Sequence, residues 1–349
     1  MRWTVLEVLR WTTSRFSQRG LASPRLDAEI LAAHALGVSR VQLYVQFDRP
    51  LEATELGALR ELVKRRQAGE SVAYIIGKKE FFGLELAVDA RVLVPRPDTE
   101  TLVDEALARL AALGQRDTPA RLVDVGTGSG AVVIAIAKTV TKTAAKTGTK
   151  TGTKTGIKTG TKTGTKTAAE AVASPATQAE GTDVEIVDPP AETSPPQAAV
   201  APAPAPLQLF ASDLSPDALA VARDNARRHE AAVTFLEGDL DQPLRAHAPF
   251  DVIVANLPYI PSADIAGLAP EVRAEPHRAL DGGDDGLTLV RRLISAAPAL
   301  LRSGGALALE IGAGQAAATA LLLTAAGFTD VRLRRDLGEI ERVVSGVKA

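Results

Sequence analysis

The chain has 349 residues, 46% of them hydrophobic, with a formal net charge of −2 and no cysteine. That length suits two domains, or one large domain with an attachment. The near-neutral balance gives no general argument for a nucleic-acid or membrane partner, and the missing cysteines exclude disulfides and thiolate metal sites, as fits a reducing compartment.

Met1-Arg2-Trp3-Thr4-Val5-Leu6-Glu7 is broken by charge instead of forming the apolar run of a signal peptide. No stretch reaches the roughly 18 uninterrupted apolar residues a membrane helix needs, so a cytoplasmic protein is expected. Residues 1–70 read as all helix. Ser23-Pro24 is an expected N-cap with proline at the first helical position, Leu26, Ile30, Leu31 and Leu36 follow at helical spacing, and Gly37 closes that helix. A further helix is expected from Glu52 to Gln67. From Ser71 to Val94 the pattern turns strand-like, with a hairpin around Gly83; this segment and the prolines after it form a linker, residues 71–97. Pro95-Arg96-Pro97 should be extended before a helix starts near Asp98. From Arg121 strands and helices alternate as a parallel α/β sheet requires, giving a second domain over residues 98–349.

One low-complexity segment, residues 141–206, interrupts that alternation. Lys138, Lys142, Lys146, Lys150, Lys154, Lys158, Lys162 and Lys166 recur at every fourth position, and a Pro/Ala/acidic stretch follows. Almost nothing here can be buried, so the expectation is a disordered, solvated insertion. The glycines oppose a helix with one lysine stripe, and weak electrostatic contact with RNA is the functional alternative.

Leu122-Val123-Asp124-Val125 followed by Gly126-Thr127-Gly128-Ser129-Gly130 reads as strand, glycine turn and then a helix from Ala131 to Lys138. The glycines let the backbone approach a ligand, and the helix start supplies free N–H groups. The spacing departs from the dinucleotide fingerprint, and no phosphate-loop lysine follows. The next strand, Leu207 to Ser212, ends in Asp213, placed to take ribose hydroxyls. Removing the insertion of about 65 residues restores a separation of roughly 20 from the glycine loop, as such a pair needs. Ser215 before Pro216 is the better helix cap, which should leave Asp213 free. Strand Val233–Leu236 leads to Gly238-Asp239-Leu240, where the acid can accept from an adenine amino group. Strand Phe250–Ala255 leads to Asn256-Leu257-Pro258-Tyr259. An amide oxygen, a carbonyl held by proline and an aromatic face can grip a planar NH2 group; alone, the tetrapeptide also suits a turn. The order of these sites matches an S-adenosylmethionine pocket beside an amino-group acceptor pocket. The four histidines are scattered, no metal site is evident, and neither is a general base.

On these residues the chain resembles the N5-glutamine methyltransferases that modify peptide chain release factors. The resemblance runs through Phe81-Phe82-Gly83-Leu84, Arg91 to Glu100, the Gly126 loop, Asn256 to Ile260, Glu271-Val272-Arg273, Ala279 to Gly286 and Leu309-Glu310-Ile311-Gly312. It implies a seven-stranded Rossmann-like class I methyltransferase sheet with a small N-terminal helical domain, S-adenosylmethionine as donor, and the glutamine of a Gly-Gly-Gln loop as acceptor. It also implies that the helical domain helps to dock the factor. The family usually carries proline at the position of Leu257 and in some members an aromatic at Leu240. Leu257 keeps the backbone carbonyl that the second residue contributes, but Asn-Leu-Pro-Tyr is also typical of rRNA adenine dimethyltransferases. An adenine-N6 methyltransferase and a non-catalytic scaffold therefore stand as alternatives. A monomer is expected.

Overall fold

A computed structural model of the chain describes residues 3–114, 116–149 and 207–349. The expectation of disorder for most of the 141–206 segment lies outside these residues. Its first part, residues 141–149, continues a helix.

The N-terminal part folds as four helices, α1 (Val5–Gln18), α2 (Pro24–Leu36), α3 (Arg40–Val45) and α4 (Ala53–Gln67). Val5, Leu9, Phe16, Leu31, Leu59 and Val63 form their shared core. Helix α2 starts and stops where the sequence indicates, and Gly37 closes it in the left-handed conformation. Ser23, however, makes no side-chain cap bond; the fixed φ of Pro24 starts the helix without it. Residues 72–76, read as strand-like, form a short helix α5 (Val72–Ile76). Its Val and Ile residues favour strands locally, but Ser71 accepts from the Tyr74 N–H and Gly77 ends the turn left-handed, and these caps prevail. A hairpin follows, β1 (Lys78–Phe81) with β2 (Leu84–Ala87), around Phe82 and Gly83, both at positive φ.

Residues 88–96 are irregular. After them come α6 (Glu100–Ala112), β3 (Arg121–Val125), α7 (Ala131–Thr149), β4 (Gln208–Asp213), α8 (Pro216–Arg228), β5 (Val233–Glu237) and β6 (Phe250–Ala255). The chain ends with α9 (Pro270–Arg273), α10 (Thr288–Leu300), β7 (Leu301–Glu310), α11 (Ala316–Ala325), β8 (Phe328–Arg335) and β9 (Glu341–Lys348). Seven strands form one sheet in the order β5-β4-β3-β6-β7-β9-β8, in which only β9 runs against the rest.

Side-chain alternation builds the core on both faces of this sheet. Leu122, Val252 and Val254 face α6 and α7, while Val123, Val125, Ile253 and Ala255 face α10 and α11. Strands β3 and β6 are neighbours although β4 and β5 intervene in sequence, so the winding reverses between them. Open α/β sheets bind ligands at such a reversal, beyond the C-terminal strand ends.

Two buried polar residues tie distant parts together. Asn225 on α8 accepts from the Ala87 N–H at 2.8 Å and donates to the carbonyls of Ala87 and Ser129 at 3.0 and 2.9 Å. Arg66 on α4 donates to Asp27 at 2.8 Å and to Glu271 on α9 at 3.2 Å. Replacing Asn225 with leucine strands one N–H and two carbonyls in the interior. We expect a loss of about 3 kcal/mol in unfolding free energy by urea titration; a loss below about 1 kcal/mol would contradict this account of the hairpin.

Candidate functional site

The glycine loop leaves β3 at Val125, and Asn256 leaves β6 at Ala255, residues paired across the two strands. The two loops therefore start side by side. Gly126 sits at φ +73, and a Cβ there would meet Leu257 Cδ2 at 3.3 Å. Leu257 is buried over the glycine loop, so the second residue of the tetrapeptide packs against the first loop.

A cavity of about 780 Å³ opens at this edge, within the range of small-molecule sites. Gly126, Gly128, Asp213, Asp239, Leu240, Asn256, Leu257 and Pro258 line it, with Arg91 to Leu93, Pro276, Arg278 and Ala279 as further wall. Thr127, Ser129, Gly130 and Tyr259 are not on the wall. Thr127 turns inward instead and donates to Asp124 Oδ2 at 2.7 Å.

Asp213 is not free, contrary to expectation. Its Oδ2 accepts from the Gly128 N–H and its Oδ1 from the Ser215 N–H, each at 2.9 Å. Ser215 does cap α8, accepting from the Ala218 N–H at 3.2 Å, but that role leaves its own N–H to seek the neighbouring carboxylate. A carboxylate offers about four lone-pair sites, so Asp213 still has two for ribose hydroxyls. Asp239 Oδ2 takes the Arg292 guanidinium at 2.6 Å, which leaves Oδ1 to accept an amino group. Leu240, at φ 47, is held left-handed with its side chain buried in the core. A bulky residue in that region carries about 1–3 kcal/mol of strain, and such strain collects at binding sites. Left-handed glycines, a partly satisfied carboxylate and leucine walls fit a nucleoside with a charged tail.

The Asn256 loop is clamped from behind. Gln315 Nε2 donates to the Tyr259 carbonyl at 2.9 Å, and Gln315 Oε1 accepts from the Gly312 N–H at 2.9 Å. At Gly286 a Cβ would lie 2.2 Å from the Tyr259 carbonyl oxygen, so only glycine lets the two backbones meet. Tyr259 lies in this support with its hydroxyl pushed up to about 12, by burial first and then by the nearby Glu310. Glu275 anchors the wall by accepting from the Val94 N–H at 3.1 Å and pairing with Arg96. Asn256 Nδ2 donates to Thr99 Oγ1 at 3.1 Å.

Asp124, Thr99, Glu310, Arg292 and Gln315 escaped the sequence reading. Asp124 and Glu310 did leave a trace, a carboxylate inside an apolar strand just before a glycine. Asp124 is buried below the glycine loop and pushed up to about 7, by burial first, helped by Asp213 and opposed by bonds from Thr127 and the Val133 N–H.

Residues 7–77 match the family described as PrmC N-terminal domain, and residues 197–275 match the family described as Methyltransferase domain. The chain is 37% identical to the release factor glutamine methyltransferase of Geobacter sulfurreducens, over 99% of this chain and 96% of that one. It is 34% identical to the protein of the same name from Rhodopirellula baltica, over 99% and 97%. A solved protein-(glutamine-N5) methyltransferase (release factor-specific) from Alicyclobacillus acidocaldarius overlaps 73% of this chain and 94% of its own, at 24% identity and a TM-score of 0.35.

A buried acid with a raised pKa stabilises the fold fully below its unfolded value of 3.8, and that contribution is lost as pH rises through about 7. Relative to Asp124→Asn, wild-type unfolding free energy should therefore fall between about pH 4 and pH 8, by up to on the order of 4 kcal/mol. Urea titrations of both proteins across that range check it; parallel curves would refute the assignment.

Proposed function

The chain belongs to the release factor glutamine methyltransferase family, and we propose that Asn256 and Leu257 are the residues presenting the acceptor glutamine to the donor. It transfers a methyl group from S-adenosylmethionine to the side-chain amide nitrogen of a release-factor glutamine. The adenine-amino and scaffold alternatives lapse with that assignment.

When bound, S-adenosylmethionine supplies a methyl group on a sulfonium, which leaves as a neutral thioether. An amide nitrogen is a weak nucleophile because its lone pair is delocalised into the carbonyl, so the protein's task is orientation and polarisation. Asn256 Oδ1 accepts one N–H of the acceptor amide, and the Leu257 carbonyl accepts the other. Two fixed acceptors define the NH2 plane and turn its face toward the donor side of the cavity. Pro258 stiffens the loop, and Tyr259 backs it together with Gln315. On the donor side, Gly126 and Gly128 bring the backbone close, Asp213 takes the ribose hydroxyls, Asp239 the adenine amino group, and Leu240 and Leu257 the ring faces. As the nitrogen gains the methyl group, one of its N–H bonds breaks and the proton leaves to water, to which a protonated amide gives it up readily. The displacement therefore calls on no metal and no tuned general base.

The observation that carries this reading is the shared wall: Asn256 and Leu257 line the same cavity as Gly126, Gly128 and Asp213. The acceptor is the glutamine of a Gly-Gly-Gln loop, whose glycines leave room for a narrow backbone to enter. Helices α1 to α4 dock the remainder of the factor. Among the described residues no helix is long and apolar enough to cross a membrane, and a substrate from the translation machinery supports a cytoplasmic location.

Asn256→Ala should lower kcat for release-factor methylation by about 100-fold or more, while calorimetry still detects donor binding. Labelled methyl donor offered with release factor or with rRNA should mark only the factor's glutamine. Near-normal transfer by Asn256→Ala would remove that residue from the acceptor role.

A further inference from the structure

Beneath the acceptor loop lies a carboxylate that the displacement does not use. Glu310 ends β7, next to the β6 end from which Asn256 departs, since Ala255 pairs with Leu309. Glu310 is 1% exposed, and its Oε2 has no hydrogen-bond partner. The Thr99 hydroxyl and the Asn256 amide both lie near enough to this carboxyl group to favour its charged form. Asn256 Nδ2 also donates to Thr99 Oγ1 at 3.1 Å. Three segments far apart in sequence thus meet under one side-chain amide.

An ionised carboxylate only accepts hydrogen bonds. The amide atom turned toward this carboxylate is therefore nitrogen, and one Asn256 N–H is already spent inward on Thr99. Oδ1 is the atom left for the cavity. A half-turn of the amide would set Oδ1 against the carboxylate and offer an NH2 group to the acceptor's own NH2, which can bond neither. Whether Asn256 can receive a substrate N–H thus depends on what lies behind it.

We infer that Glu310, acting together with Thr99, is a positioning residue that fixes the Asn256 amide with its oxygen toward the acceptor nitrogen. The inference rests on the reading of Asn256 given above. It also assigns work to two sequence blocks that do not line the cavity, Pro97-Asp98-Thr99 and Leu309-Glu310-Ile311.

Three charged or titratable groups face Glu310 from the elements around it. Arg342 comes from β9, Asp98 from the turn before α6, and Tyr259 from the acceptor loop. Arg342 is itself shared between Asp98 at 3.1 Å and Asp336 at 2.8 Å. Burial pushes Glu310 up to about 7, against the pull of Thr99, Arg342 and Asn256 and with reinforcement from Asp98. As pH falls through that value the carboxyl group gains a proton and becomes a donor. It can then bond Oδ1, and the half-turn of Asn256 is no longer opposed.

The test uses the full chain, S-adenosylmethionine and a purified release factor, with kcat and KM measured from pH 6 to pH 9. Thr99→Val and Glu310→Gln should lower kcat about 10- to 100-fold, as misplacement of a reacting group does. KM for the factor and the calorimetric donor Kd should move less than about threefold, because the interaction matters to the reacting geometry and not to uniform binding. Thr99→Ser should recover most of the rate lost in Thr99→Val. Wild-type kcat should fall below about pH 7, and that fall should be absent in Glu310→Gln. Wild-type kcat in folded Thr99→Val, which alters one terminal group and keeps both charges, overturns the inference even where Glu310→Gln fails to fold. An acid limb that persists unchanged in Glu310→Gln overturns it as well. A wild-type chain that leaves the factor unmarked overturns the functional reading beneath it; active wild type with equally active variants overturns the positioning role alone.

Discussion

Everything at this site depends on the parallel pairing of β3 with β6. The register that sets Val125 against Ala255 makes the glycine loop and the Asn256 loop leave the sheet at one height and one edge. Leu257 then covers Gly126 because no side chain stands between them. The glycine loop and the Asn256 loop share a wall as a matter of topology: the winding reverses between these strands, and such a reversal is where an open sheet offers a crevice. A slip of one residue in either strand would send its core side chains to the wrong face, so the register is held by the whole apolar interior.

The polar groups near that wall are arranged in advance of any ligand. Asp213 is oriented by two backbone N–H groups, Asn256 by Thr99, and the Tyr259 carbonyl by Gln315. Each of these bonds costs an ordering penalty at folding that binding need not meet later. Buried carboxylates at Asp124 and Glu310 are the energetic cost of this arrangement, since burial disfavours their charged forms.

Much of this was legible in the residues themselves. Alternating apolar strands, a glycine turn, acids at strand ends and the Asn-Leu-Pro-Tyr loop all report local chemistry, and local chemistry survives in sequence order. Val72 to Ile76 misled because their strand preference is real; the caps at Ser71 and Gly77 are small signals that outweigh it. Asp213 misled because the Ser215 hydroxyl caps α8 but leaves the Ser215 N–H to the carboxylate. Which residues meet behind the loops was not legible. Thr99 and Asn256 stand 157 positions apart, and Asn225 and Ala87 stand 138 apart. No periodicity records which distant side chains will meet.

Arg66 carries a consequence for the molecule as a whole. Its guanidinium is buried between Asp27 of the N-terminal helices and Glu271 of the segment that follows the acceptor loop. Pulling these parts asunder would break the Arg66–Glu271 pair, while Asp27, which belongs to the same helical part, stays with Arg66. Parting the N-terminal helices from the sheet therefore costs the attraction across one partly exposed pair, and this joint can loosen without unfolding the helices themselves.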